Sequence, residues 1–269
     1  MMKLYVTDKK GSILCEHTGE ENVTLVYKNK YKKGDVLHFV PEKAGLYEVC
    51  FEDTIAPSIV YVESHASFTI PFGLMNRVCY SPRAFKSLQH LITAKEANPE
   101  FVRARRNLAL NPFDGHNTSG MYPHASANVE TRNESLFAAR NAIDGIFANN
   151  AHYPYPFQSW GINKDPKAEL TIEFGLPVNL DCIALTLRAD YPHDSYWVKA
   201  TLEFSDGSKE VFPLEKLATP QHIHIDKKDI TWLVLKELMK AEDESPFPAL
   251  TQIEAFGKIS ESTIKKDMV

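Results

Sequence analysis

The chain has no apolar run long enough to cross a bilayer, and it has no surplus of positive charge. Its 30 Lys and Arg stand against 35 Asp and Glu, a formal net charge of −5. Nucleic acid and anionic membrane both select for a basic stripe, so neither is an expected partner, and membrane insertion is not expected either. Cysteine is scarce. Cys15, Cys50, Cys79 and Cys182 are widely spread and never form a C-x-x-C, which is not the spacing of a Cys/His zinc site and favours free thiols over a disulfide framework. Cys50 and Cys182 stand inside apolar runs, as buried thiols in a reducing compartment do. The opening residues, MMKLYVTDKKGSIL, lack the apolar core and small-residue cleavage site of a signal peptide. A cytoplasmic location is therefore the default expectation, and a secreted one if a leader is missing. The sequons at Asn22, Asn117 and Asn133 carry no weight without a secretory route.

Common catalytic signatures are missing too. There is no GxGxxG, P-loop, G-x-S-x-G elbow or H-E-x-x-H. His222 and His224 fall on one face of an extended segment, but no third ligand stands nearby, and an exposed polar face is the better reading.

What the chain does have is strands. With 43% hydrophobic and 24% charged residues over 269 positions, it is long and apolar enough for one large or two ordinary domains. Short β-branched and aromatic runs at residues 23–27, 36–40, 46–51, 59–62 and 68–72 are separated by turns such as Lys32-Lys33-Gly34-Asp35. That rhythm predicts an N-terminal β-sandwich over residues 1–80. Ser81-Pro82 is a helix-start signal, and Phe85, Leu88, Leu91 and Ile92 recur at helical spacing, so residues 82–97 are expected to form a helix within a linker at 81–102. Asn98-Pro99 would end it. Alternation returns in Leu170, Ile172 and Phe174, in Ile183, Leu185 and Leu187, and in Val198, Ala200, Leu202 and Phe204. Ser205-Asp206-Gly207-Ser208 then supplies hairpin chemistry, and apolar runs continue to Phe256. The expected architecture is all-β: two β-sandwich, jelly-roll-like domains joined by a helix, the second over residues 103–258, with a polar tail at 259–269.

Three polar-aromatic clusters fall on expected loops. The first is Tyr122-Pro123-His124 with Asn128, Glu130, Arg132 and Glu134. The second holds Arg140, Asp144, His152, Tyr153, Tyr155, Gln158 and Trp160. The third runs from Arg188 through Asp190, His193 and Asp194 to Trp197. Loops of a sandwich gather at its two ends, so separate clusters can share one surface. Rings that cover a sugar's apolar face, beside charged groups that bind its hydroxyls, would suit a glycan. Each residue taken singly also has a structural reading: Arg188 paired with Asp190 or Asp194, and Trp160 and Trp197 in a core.

At this point the sequence resembles the galactose-binding-domain-like group, the discoidin or coagulation-factor 5/8 type C family. The resemblance rests on Asn107-Leu108-Ala109, Ala142-Ile143-Asp144-Gly145, Trp160, the run 170–175 (LTIEFG) and the closing run 250–257 (LTQIEAFG). It covers roughly residues 103–258 and is nearest a bacterial carbohydrate-binding variety, through PHASANVETR, AARNAIDG, SWGIN, RADYPHD and SPFPALTQIE. It implies a jelly roll that binds an oligosaccharide or polysaccharide through loops at one end. It also implies a structural Ca²⁺ held by Asp144 and Glu254, although the long segment 146–159 before Trp160 departs from the family's short turn.

The leading expectation is a non-catalytic carbohydrate-binding protein. Trp160, Tyr155 or Trp197 would stack on the sugar, and His124, Arg140, His152, Arg188, Asp190, His193 and Asp194 would surround it. A glycan-active lyase or hydrolase is the alternative, with His193 or His124 as base and Asp190, Asp194 or Glu134 as carboxylate. A third reading makes the N-terminal sandwich a structural module for homo-oligomer contacts.

Overall fold

The computed structural model describes residues 1–261. Strands dominate it, and every paired strand is antiparallel to its neighbour. The first sheet contains β1 (Met2–Thr7), β2 (Ile13–Gly19), β3 (Asn22–Tyr27), β4 (Val36–Val40), β5 (Gly45–Cys50), β6 (Ser58–Thr69), β7 (His90–Glu96) and β9 (Ser119–Tyr122). Its order is β2-β1-β4-β6-β5-β7-β3, with β9 beside β6. Period-two patterning makes these strands: in β3, Val23, Leu25 and Tyr27 are buried while Asn22, Thr24 and Val26 are exposed. The inward rings of Phe39, Tyr47, Phe51, Phe68 and Phe113 fill the core.

The second sheet contains β8 (Arg106–Asn107), β10 (His124–Ala127), β11 (Trp160–Gly161), β12 (Leu170–Leu187), β13 (Trp197–Phe204), β14 (Lys209–Pro213), β15 (Gln221–Lys240) and β16 (Ala249–Ile259). The path is β11-β16-β12-β15-β13-β14, with β10 beside β12 and β8 beside β16. Two pairs of runs that read as separate strands in the sequence are continuous here. β12 pairs with β10 over its first residues and with β16 over its later ones, while β15 follows it along both stretches. One long strand thus serves two faces, as a jelly roll requires. Leu170, Ile172, Leu185, Trp160 and Trp197 lie in its core.

Residues 82–97 do not form the expected helix. Ser81 to Ala84 make one turn, Phe85 takes φ 58°, and residues 90–96 are strand β7. The apolar spacing suits either structure, and pairing decides it: β7 fits between β3 and β5 and bonds to both. His90, Ile92 and Ala94 then point inward while Leu91 stays exposed. The helices that do form are short, α1 (Leu74–Arg77) and α2 (Pro99–Arg103). Asn98 caps α2 by accepting from the Glu100 N–H at 2.9 Å, with Pro99 at its first turn, so Asn98-Pro99 begins a helix where it was expected to end one. α2 leads from the first sheet to the second. The first sheet draws β7 and β9 from beyond residue 80, the boundary expected for its domain. At the other end Ile259 closes β16 and Ser260 bonds to Asp229, and residues 262–269 of the expected tail lie outside the described residues. Among the described residues no helix is long and apolar enough to cross a membrane.

Gly257 shows how tightly the second sheet is built. A Cβ there would lie 1.9 Å from the Asn179 carbonyl oxygen and 3.0 Å from the Leu180 Cα, both backbone atoms of β12. Gly257→Ala must therefore push two strands apart. The expected loss is about 1–3 kcal/mol of unfolding free energy in urea titrations, the usual cost of overpacking.

Candidate functional site

Three chain segments leave the second sheet at the same end, because their flanking strands are neighbours. Trp160 of β11 pairs with Leu250 of β16, and the Arg188 N–H, just past β12, donates to the Ala249 carbonyl at 3.0 Å. The loops before Trp160, after Leu187 and before Ala249 must then meet. Asn149 fixes the first to the second: its side-chain amide donates to the Leu187 and Ala218 carbonyls, and its own carbonyl accepts from the Ala189 N–H.

Arg188 is the post around which these loops gather, and its side chain is only 2% exposed. Its Nε donates to Asp190 Oδ1 at 2.6 Å and its Nη2 to the Ala151 carbonyl at 2.6 Å. Nη1 reaches the Phe157 carbonyl and Ser159 Oγ. Four loop groups are thus tied to one guanidinium by charge-assisted bonds. Asp190 holds the next turn by accepting the His193 N–H on its backbone carbonyl. His193 Nδ1 lies 3.1 Å from the Phe247 carbonyl, and its ring stacks at 4.7 Å on the exposed His152. Burial first, and the Arg188 charge second, hold the His193 imidazole below its ordinary value.

Above this base lies a cleft of about 160 Å³. Phe137, Phe247, Pro192 and Ile162 supply apolar wall, and Thr131, Arg132, Asn163, Lys164, His152 and His193 supply polar groups. Lys164 Nζ lies 4.4 Å from the Phe247 ring centre and Arg132 sits over Phe137. All three clusters reach this cleft: Arg132 from the first, His152 from the second and His193 from the third. Phe247, Lys164 and Asn163 are additions. Phe247 and Asn163 stood in the SPFPALTQIE and SWGIN segments, but of those segments only Trp160 joined a cluster, because sequence distance conceals that β11 and β16 are paired; Lys164 directly follows SWGIN.

Other expected site residues are elsewhere. Trp160 and Trp197 are both 0% exposed, packed on each other with ring centres 6.5 Å apart. They are core and have no face free for a sugar. Arg140 is buried beneath Tyr80, donating to the Asp114 and Pro112 carbonyls. Tyr155 belongs to a separate concavity with Ile55, Tyr80 and Leu110, its N–H bonded to the Val78 carbonyl. His124 pairs with Asp114 at 2.6 Å, which raises its pKa above the ordinary histidine value, and it lines a different depression beside His116. Asp194 is held by Lys216 and Ser245. Arg132 likewise occupies Glu134, and neither Glu134 nor Asp190 is among the residues lining the cleft.

The donor set expected for Ca²⁺ does not fit that ion. Asp144 Oδ1 accepts from Gln252 Nε2 at 2.8 Å and from the Ile146 N–H at 2.9 Å, and Oδ2 accepts from Gln158 Nε2 at 2.7 Å. Three N–H groups aim at the carboxylate where a hard cation would need oxygens. Glu254 lies farther along β16, opposite Ala184 of β12, where burial pushes its carboxyl above the ordinary value.

No protein-family model and no curated protein sequence matches the chain. Solved structures do. A family 32 CBM from C. perfringens NanJ in complex with galactose is 14% identical over 57% of this chain and 99% of its own, with a TM-score of 0.40. The lectin domain of lectinolysin complexed with Lewis B antigen is 16% identical over 56% and 96%, with a TM-score of 0.40. A Streptococcus pneumoniae fucose binding module is 11% identical over 61% and 100%, with a TM-score of 0.41. An F5/8 type C domain from Bacteroides fragilis is also among the similar solved structures, 15% identical over 50% of this chain and 91% of its own, with a TM-score of 0.37.

Proposed function

We propose that the protein binds a glycan non-catalytically, taking one terminal sugar ring into the cleft between Phe247 and His193. The supporting observation is the convergence of all three loop clusters on one small cleft with aromatic walls and a polar rim. A sugar needs both at once: C–H faces lie against Phe247 and Pro192, and hydroxyls bond to Asn163, Lys164, Thr131 and His152. The rim is held by a buried Arg188–Asp190 pair, so little order has to be created on binding. The cleft is far smaller than those that enclose drug-sized ligands, which points to the end of a chain rather than its middle.

A glycan array followed by calorimetric titration tests this reading. Phe247→Ala and Asn163→Ala should each weaken the best ligand by about tenfold, the effect of losing one stacking or hydrogen-bonding contact of ~1.4 kcal/mol. No binding across neutral and acidic glycans, or affinity unmoved in both variants, would overturn it.

A further inference from the structure

Beneath the cleft, two buried acceptors have nothing to accept. Asp190 Oδ2 and His193 Nε2 are both shielded from solvent and neither has a hydrogen-bond partner. Their residues are 8% and 7% exposed. The surrounding bonds dictate what each atom offers. Asp190 Oδ1 is taken by Arg188, leaving Oδ2 with free lone pairs. His193 Nδ1 faces the Phe247 carbonyl at 3.1 Å; a carbonyl only accepts, so Nδ1 carries the hydrogen and Nε2 presents its lone pair. A backbone carbonyl on the far nitrogen is the usual support of a metal-bound histidine.

His152 completes the set. One ligand atom from each of His152, Asp190 and His193 lies within 4.8 Å of the other two, and His152 Nδ1 is 3.6 Å from Asp190 Oδ2, too far for a hydrogen bond. We propose that His152 Nδ1, Asp190 Oδ2 and His193 Nε2 bind a divalent transition-metal cation whose remaining positions open to the cleft. Two imidazoles and a carboxylate are a donor set for zinc and its neighbours, and they are a poor one for calcium. The stacked His152 ring has to turn about its side-chain torsions to aim its lone pair at the cation. It is exposed and lies on a loop, so it is free to do so. The site stands on these three side chains, whether or not the cleft above takes a glycan.

The test is titration of zinc chloride, in the absence of sugar, into full-length protein first stripped with chelator. One zinc per chain should bind, and His152→Ala should weaken it at least tenfold while leaving the metal-free melting temperature unchanged. Cobalt(II) in place of zinc should give a visible absorption band that disappears in the same variant. His222→Ala controls for the other histidine pair, on β15. Absence of stoichiometric binding, or zinc affinity that responds to His222→Ala and not to His152→Ala, would overturn the proposal. Glycan titrations run in chelator keep the outcomes separate: sugar binding without zinc binding sinks the metal site alone.

Discussion

Arg188→Met should lower the unfolding free energy by about 3–5 kcal/mol, the range for breaking a buried ion pair on one side. The methionine keeps much of the apolar stem, so the loss is mainly polar. Asp190, 6% exposed at its side chain, is left as an unpaired buried charge, and the Phe157 and Ala151 carbonyls lose the donor that joined them. Denaturant titration measures the loss. A second change identifies its source: Asp190→Asn in the Arg188→Met background removes the stranded charge and should recover part of the stability, giving a favourable coupling in the double-mutant cycle. A single-variant loss below about 1 kcal/mol would mean that the loops hold together without the guanidinium, since that is the range of an exposed pair. The same variant should abolish binding in the cleft, because His152 and His193 sit on the two loops that Arg188 joins.

The contrast between Arg188 and the tryptophans shows what the sequence could disclose. Strands were legible because burial on one face imposes alternation, and β3, β4, β5 and β13 fall where that alternation lies. Arg188 was legible as one half of an ion pair, with Asp190 and Asp194 both open as partners; the short turn gives it Asp190, while Asp194 goes to Lys216. Segment 82–97 was not legible. Phe85, Leu88, Leu91 and Ile92 satisfy a helical stripe, and only the open edges of β3 and β5, contributed by residues far away in the chain, convert it to strand. Trp160 and Trp197 failed for a related reason. Aromatic residues in a polar loop look like a platform, but both stand at strand ends, Trp160 beginning β11 and Trp197 beginning β13, where the sheet turns them inward. His152 and His193 are left out of the sheet core, His152 exposed and His193 buried under the cleft, because the loops carrying them extend past the last ladder bonds.

Arg140 is the second large expected effect, and it bears on calcium. Chelator and added Ca²⁺ should both leave the melting temperature unmoved, because the lone pairs of Asp144 are already engaged by Gln252, Gln158 and the Ile146 N–H. The nearby positive charge is Arg140, whose Nη1 is 3.8 Å from Asp144 Oδ2. Arg140→Met should therefore cost about 3–5 kcal/mol at pH 8, through the stranded carboxylate and the lost bonds to the Asp114 and Pro112 carbonyls. Its pH dependence distinguishes it from a simple packing defect. Burial pushes Asp144 up to about 6, with Arg140 pulling in the opposite direction. For an acid whose folded pKa lies above its unfolded one, the folded state binds the extra proton, so stability falls as pH rises between the two values. In wild type that window runs from the ordinary aspartate value to about 6. Without Arg140 it extends higher, so the deficit of the variant should grow between pH 5 and pH 8 and shrink again on acidification. A deficit that is flat with pH would place the cost in packing against Tyr80, whose ring centre lies 4.6 Å from the guanidinium carbon. A melting temperature that rises with Ca²⁺ would show that the ion can displace the amides after all.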